Sequence, residues 1–282
     1  MRKHSYKVSG TIELMIARAI VIVLAVPIVA LCRADDGWVG NGGTPSTLNG
    51  KHKTIRMMDE VVRIHVGKNY TTVDCLFHFK NSGPATSVRM GFPDHDSLRE
   101  DASGSKTSVF KKYRSWVDNK RVKCKFEGTK ENGYWQTKTV SFAAGEGRTI
   151  RDHYDVSTGS GDETGKYYMH YADYILSTGG TWNGSIGRVE IIISFDPDLL
   201  HPAKLVPSSA FSEKVHAKSG VSDEDKHRLD RAVIFRNKRT VFWHGPKSPT
   251  LKNGIVRFFA RDLNPSNDDN ISLIFAPFVP KF

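Results

Sequence analysis

Residues 72–79 read TVDCLFHF, with an apolar side chain at every second position. The apolar set comprises Val73, Cys75, Phe77 and Phe79, and the other, largely polar set comprises Thr72, Asp74, Leu76 and His78. Side chains in a β-strand point to alternate faces of the sheet. The stretch therefore predicts a strand with one buried face and one face towards solvent.

The same alternation recurs on both sides of this stretch. Residues 62–66 and 88–92 repeat it, and the turn sequence NSGP at 81–84 separates the second run from the first stretch. Residues 113–117 and 122–126 predict two strands of a hairpin. Short strands separated by turn residues are typical of an antiparallel β-sandwich, immunoglobulin-like or related, with little helix.

The N-terminus predicts export. A basic start is followed at 19–31 by an unbroken run of 13 apolar residues, and Cys32 and Ala34 supply the small residues of a cleavage site. This is the pattern of a signal peptide at 1–34, cut after Ala34. A membrane anchor is the alternative, but a spanning helix needs about 20 apolar residues. Lipid modification of Cys32 is a less favoured alternative to cleavage after Ala34. We expect an extracytoplasmic protein (secreted, periplasmic or cell-surface) without an integral span after cleavage.

The positive charge gives little information about partners. The chain carries a formal net charge of +11, and the chain without residues 1–34 carries +7. Many of its lysines and arginines alternate with apolar residues, as in VKCKF at 122–126, which is typical of the solvated face of a strand. Nucleic-acid binding is therefore not predicted, whereas attraction to an anionic envelope or polysaccharide is compatible with the charge.

The rest of the chain divides by composition. Residues 35–53 are rich in Gly and Asn and predict an exposed leader, and residues 54–157 predict an N-terminal β-domain. The Gly-rich segment STGSGDETG at 157–165 is the best internal boundary. Residues 158–282 then form either a second packed β-domain or an extension of the same sheets, and the sequence leaves both open.

Cys75 and Cys124 remain after cleavage. A disulfide between them is permitted outside the cytoplasm, but two buried thiols are equally consistent with their positions in strands. Two cysteines are too few for a metal cluster, and no metal site or cofactor is predicted.

Two short motifs are candidate binding sites. Asp94, His95 and Asp96 place a histidine between two acids, although a solvated loop is the simpler interpretation. Trp182, in TGGTWNG at 178–184, would stack on a sugar or a partner if it were exposed. We favour a buried, structural Trp182, because a large aromatic side chain is more often buried than exposed. Motifs of nucleophilic, zinc-dependent or thiol catalysis are absent from the sequence, and no catalytic residue is predicted.

Five segments together resemble a known family. They are Gly42-Gly43, IRM at 55–57 with Glu60, NSG at 81–83 leading to VRMGFP at 88–93, YILSTGGTWNG at 174–184, and LNP at 263–265 with DDNI at 268–271. The set is similar to a secreted bacterial family catalogued only as a domain of unknown function, forty-four twenty-four. The resemblance implies export and β structure, and it supplies no activity or site residue. Where members carry an acid before the late proline, this chain has Asn264.

These observations favour a non-enzymatic binding or structural protein of the bacterial cell envelope. Its partner would be an envelope protein or a glycan. The alternative is a secreted hydrolase whose catalytic residues are dispersed along the chain, which a search for short motifs does not detect.

Overall fold

The computed structural model describes residues 42–43, 45–48, 50–94, 107–129, 133–162, 168–208, 239–246 and 249–276. The predicted signal peptide at 1–34 with its cleavage site at Ala34, and the candidate residues His95 and Asp96, lie outside the described residues.

Strands make up most of the described chain. In its first half they are β1 (Gly42–Gly43), β2 (Ser46–Thr47), β3 (Ile55–Val66), β4 (Tyr70–Asn81), β5 (Thr86–Pro93), β6 (Arg114–Val117), β7 (Lys120–Val122), β8 (Lys125–Thr129), β9 (Gly133–Phe142) and β10 (Gly147–Ser157). In the second half they are β11 (Gly159–Asp162), β12 (Tyr168–Ile175), β13 (Ile186–Phe195), β14 (Lys204–Pro207), β15 (Thr240–His244), β16 (Thr250–Lys252), β17 (Ile255–Leu263) and β18 (Ile271–Phe275). Two short 3-10 turns, Ser177–Thr181 and Asn267–Asp269, are the described helical elements, and neither is long enough to cross a membrane.

The strands form three sheets. One has eight strands in the order β16-β17-β13-β3-β4-β10-β6-β7, and a second has four in the order β2-β5-β9-β8. The third has the order β1-β12-β18-β15-β14, with β11 paired to β12. Pairing is mainly antiparallel, and β13 with β3, β1 with β12 and β14 with β15 are parallel. The protein is therefore mainly β, as predicted.

The two smaller sheets cover one face of the eight-stranded sheet. The four-stranded sheet packs on its β4–β10 region, where Phe92 meets Tyr154 with ring centroids 5.4 Å apart. The six-stranded sheet packs on the β13–β17 region, where Phe195 meets Phe275 edge to face at 5.4 Å. The result is a two-layer β-sandwich in which one layer is split in two.

The apolar alternation in the sequence correctly predicts which side chains of these strands form the core. Val73, Cys75, Phe77 and Phe79 are at most 2% exposed. The alternating runs in β3 and β5 also point their apolar side chains inwards, including Val62 and Met90. Burial of large apolar side chains is worth roughly 1.5–3 kcal/mol each, so this pattern supplies the main driving force for the sandwich.

The segment predicted as an exposed leader is part of the core. Gly42 and Gly43 pair with β12 of the six-stranded sheet, whereas Ser46 and Thr47 pair with β5 of the four-stranded sheet. All four residues are buried. The small residues that suggested a loop are needed for close packing, because a Cβ atom on Gly42 would lie 1.8 Å from the Tyr154 hydroxyl oxygen. The prediction of an exposed leader is wrong for these residues.

The predicted hairpin is present, but its second strand is short. Asp118 and Asn119 have positive φ angles of 47° and 64°, which suits a tight two-residue turn between β6 and β7. The chain then leaves the eight-stranded sheet at Lys123–Cys124 and enters the four-stranded sheet with β8. Residues 122–126 are therefore split between the two layers.

The described second half of the chain adds strands to the eight-stranded sheet and supplies most of the six-stranded sheet. β13 inserts between β3 and β17, and the Gly-rich segment after β10 continues into β11, which pairs with β12. Residues 36–282 form one compact unit. Of the two alternatives left open for residues 158–282, extension of a first-half sheet applies to β13, β16 and β17. The other described strands of this half form the six-stranded sheet with β1.

Candidate functional site

Trp182 is a buried structural residue. Its side chain is 1% exposed, and its indole Nε1 donates a hydrogen bond of 2.6 Å to the Pro45 carbonyl. The ring packs against Phe79 with centroids 4.5 Å apart. It lies on this phenylalanine and near His52 rather than across the glycines of its own turn. The preferred interpretation of Trp182 is confirmed, and a role in stacking on a ligand is excluded by its burial.

The segments that carry the family resemblance meet around this tryptophan. The Thr181 hydroxyl accepts a hydrogen bond from the Thr47 backbone N–H at 3.0 Å. The Asn270 side-chain oxygen accepts hydrogen bonds of 2.9 Å from the backbone N–H groups of Leu176 and Ser177. These hydrogen bonds fix turns and loop ends to one another, so Thr181 and Asn270 have a structural role.

Asp94 is also buried and hydrogen-bonded to other residues of the protein. It is 1% exposed and accepts hydrogen bonds from Ser108 Oγ at 2.6 Å, Val109 N at 3.0 Å and Gln136 Nε2 at 2.7 Å. A buried carboxylate that accepts three hydrogen bonds from the protein needs no further partner. Asp94 is therefore not the solvated loop residue that the sequence suggested, and its geometry gives no sign of a ligand site.

The two cysteines are free. Cys75 is buried, and Cys124 is partly buried. Burial raises the pKa of both thiols above its ordinary value, most strongly at Cys75. A thiol with a raised pKa is a poor nucleophile at neutral pH, because the thiolate is the reactive form.

A buried polar seam runs through the sandwich beneath the two smaller sheets. The Lys138 ammonium lies 2.7 Å and 2.8 Å from the carboxylate oxygens of Asp152. The Tyr174 hydroxyl donates to Glu60 at 2.8 Å and lies 3.7 Å from Cys75 Sγ. Each of these contacts links the eight-stranded sheet to one of the smaller sheets. All five residues are buried, so the seam has no path to a substrate and holds the layers together.

The outer face of the four-stranded sheet carries an open concavity of about 560 Å³, which we call the outer concavity. Strand alternation places its floor residues on the face turned away from the core. The lining residues are Ser46, Thr47, Leu48, Arg89, Glu127, Gly128, Thr129, Gly133, Trp135 and Thr137. The concavity combines one large aromatic ring with an ion pair and several hydroxyl groups.

Trp135 lies across the backbone of β5. A Cβ atom added to Gly91 would be 2.9 Å from Trp135 Cε3 and 2.7 Å from Leu48 Cδ2. The missing side chain at Gly91 therefore lets the indole and Leu48 pack flat on the sheet. The ring is partly exposed and forms a fixed apolar platform in the concavity.

Glu127 is a permanent hydrogen-bond acceptor beside that platform. It is paired across the strands with Trp135, accepts a hydrogen bond from Thr137 and forms an ion pair with Arg89. These contacts, the Thr137 hydroxyl first and the Arg89 guanidinium next, lower the pKa of Glu127 to about 2. A general acid or base works best with a pKa near the operating pH. Glu127 is therefore suited to accepting hydrogen bonds and not to transferring protons.

Sequence reasoning did not find the outer concavity. Alternation does predict that Trp135 and Thr137 lie opposite Val140 and Phe142, which are inward. The sequence does not reveal that β8 and β9 pair so that Glu127 lies beside Trp135, because this register depends on a crossing between layers.

Comparisons with known sequences give no family. No protein-family model matches the chain, and no curated protein matches it.

Solved structures show likeness in fold. A crystal structure from Legionella pneumophila, provisionally described as a nutrient binding protein, aligns with a TM-score of 0.57 at 16% identity, over 84% of this chain and 70% of that one. An M1 zinc metallopeptidase from Deinococcus radiodurans aligns with a TM-score of 0.34 at 9% identity, over 80% of this chain and 43% of that one. Yeast LTA4 hydrolase gives 0.39 at 9% identity, over 80% and 29%. The first alignment shows a likeness in fold alone.

Proposed function

We propose that the protein is a non-enzymatic binding protein that takes a neutral, hydroxyl-rich ligand, a glycan, in the outer concavity. The observation that carries the proposal is the pairing of Trp135 with Glu127 on an open sheet face. The apolar face of a sugar ring packs on an aromatic ring, while its hydroxyl groups need donors and acceptors at the edge. Arg89 supplies donors and Glu127 supplies acceptors at that edge.

Three further observations support binding rather than hydrolysis at this place. Glycoside hydrolysis needs a pair of carboxyl groups, one of them protonated to act as the acid. Among the described lining residues Glu127 is the one carboxylate, and its pKa of about 2 keeps it ionised. Among the described residues, Asp94 and Asp152 are buried and bonded to side chains of the protein. The Legionella neighbour is described as a nutrient binding protein, which is compatible with a binding role.

The cellular setting is a second part of the proposal. The basic N-terminus and apolar run at 19–31 support an exported protein of the bacterial envelope, related to the secreted family of unknown function that its motifs resemble. N-terminal sequencing of the exported protein should begin near Asp35. An intact Met1 on the exported form would contradict export by cleavage.

Calorimetric titration of the protein with neutral mono- and oligosaccharides and with soluble envelope polysaccharide tests the ligand. We expect Trp135→Ala and Glu127→Gln each to weaken binding by at least about tenfold, the loss of one good contact. Trp116→Ala is the matched control, because Trp116 is a partly exposed tryptophan on the outer face of the other layer, beneath Arg151. Absence of saccharide binding, or equal binding by Trp135→Ala, would exclude the proposal.

A further inference from the structure

A second cavity opens at the edge of the sandwich, where the chain crosses from β7 to β8. Its volume is about 430 Å³, and we call it the edge pocket. Its lining comprises Tyr113, Arg114, Ser115, Arg121, Val122, Lys123, Cys124 and Gln136. It shares no lining residue with the outer concavity.

Cationic side chains surround the opening of the edge pocket. Arg114, Arg121 and Lys123 are exposed, and within the described residues none of them forms an ion pair. Within the part of the chain that the structure describes, the pocket lining contains no acidic residue. Three positive charges around one small opening attract an anion, and they do so more strongly at low ionic strength.

Two buried hydroxyl groups lie deeper in the edge pocket, the Tyr113 hydroxyl beside Asp152 and Ser115 Oγ beside Cys124. Ser115 Oγ and the Tyr113 hydroxyl are buried and have no hydrogen-bond partner in bonding geometry in the part of the chain that the structure describes. A buried polar group without a partner costs free energy, so such groups call for an explanation. Burial first, with the nearby Asp152 charge, raises the pKa of Tyr113 well above 10 and keeps this hydroxyl protonated as a donor.

The buried acid nearest this pocket is paired with a lysine. Asp152 is paired with Ser115 across β10 and β6, on the inner face of the sheet. Its charge is balanced by the Lys138 ammonium at 2.7 Å and 2.8 Å. The local charge facing the pocket is therefore set by Arg114, Arg121 and Lys123.

We propose that the edge pocket binds a tetrahedral oxyanion, a phosphate or the phosphoryl group of a larger molecule. The cations at the opening neutralise the charge, and the hydroxyl groups of Ser115 and Tyr113 donate hydrogen bonds to its oxygen atoms. Arginine suits this role because its planar guanidinium donates two parallel hydrogen bonds to an oxyanion. The site is independent of saccharide binding in the outer concavity.

Calorimetric titration of the full chain at low salt, with inorganic phosphate, glucose 6-phosphate and glucose as separate probes, tests this proposal. Binding of phosphate and glucose 6-phosphate alike assigns a site for the free ion. Binding of glucose 6-phosphate without phosphate or glucose assigns a site for a phosphoryl ester. We expect Arg121→Gln and Ser115→Ala each to weaken binding by about tenfold or more.

Arg63→Gln is the matched control. Arg63 is exposed on the outer face of β3, so this substitution makes the same change in net charge away from the edge pocket. It should leave phosphate affinity within about twofold, because Arg63 does not line the edge pocket and cannot contact the bound ion. Absence of binding by the wild-type protein would overturn the proposal, as would equal weakening by Arg63→Gln and Arg121→Gln. Thermal melting of each variant confirms that it is folded before titration.

Discussion

The Lys138 ammonium and the Asp152 carboxylate form a bidentate ion pair between the four-stranded and eight-stranded sheets, with side chains 2% and 0% exposed. The pair connects the two layers within the core, in a position that apolar side chains usually fill. A buried charge is costly unless its partner remains in place. The two residues are therefore expected to act as a unit in stability.

Removal of one partner of this pair should be severely destabilising. We expect Lys138→Met or Asp152→Asn alone to lower the free energy of unfolding by about 3–5 kcal/mol, because each leaves an uncompensated buried charge or polar group. The double substitution should cost clearly less than the sum of the two. Urea unfolding of the four proteins measures this coupling, and additive losses would contradict it.

Trp182 anchors the turn after β12 to the N-terminal segment. We expect Trp182→Ala to lower the free energy of unfolding by about 3–5 kcal/mol, since a fully buried aromatic side chain and its hydrogen bond to Pro45 are both lost. Trp182→Phe should cost less, because most of the contact with Phe79 remains. Trp116→Ala, at a partly exposed position, is the control in chemical denaturation. A melting curve of Trp182→Ala equal to wild type would contradict this role.

The thiols should react in an order set by their burial. In the folded protein, iodoacetamide should modify Cys124 slowly and leave Cys75 intact, because burial raises the pKa of both and Cys75 is the more deeply buried. In denaturant both should react at similar rates. Mass spectrometry of the labelled peptides gives the order. A non-reduced protein two hydrogens lighter than the free thiols require would show a disulfide instead.

Asp173 should make stability depend on pH. It lies opposite Ser272 in the pairing of β12 with β18, and burial raises its pKa from 3.8 to about 7. Between about pH 4 and pH 7 the folded protein binds a proton here that the unfolded chain does not. Stability from this group is therefore fully present below about pH 4 and is lost as the pH rises to 7.

Asp173→Asn isolates this contribution. The difference between wild type and Asp173→Asn should grow by on the order of 2 kcal/mol in favour of the variant between pH 4 and pH 8, because the amide carries no charge to bury. Urea unfolding at several pH values measures it. Parallel curves for the two proteins across this range would show that Asp173 is not buried as a neutral acid.

Only part of the outer concavity can be predicted from sequence patterns. Alternation in β9 is enough to predict that Trp135 and Val140 face opposite sides. It does not predict that Gly91 leaves room for the indole, or that Glu127 lies across from it, since these depend on the neighbours of β9 on either side. Trp182 was singled out in the sequence because of the glycines around it, yet it is buried, whereas Trp135 is partly exposed in the outer concavity.

The sequence by itself determined that the chain is built of strands, because side-chain alternation is a local property and apolar burial drives it in any β-sandwich. It also indicated the inward side of the clearly alternating strands, as for Phe77 in β4 and Val140 in β9. Only the tertiary structure decided what each inward side chain meets. A lysine in an alternating strand suggests a solvent-exposed side chain. Lys138 is buried because Asp152, in the other layer, forms an ion pair with it. Gly42 and Gly43 suggested a loop because their partner strand, β12, lies far along the chain and no local pattern reveals the pairing.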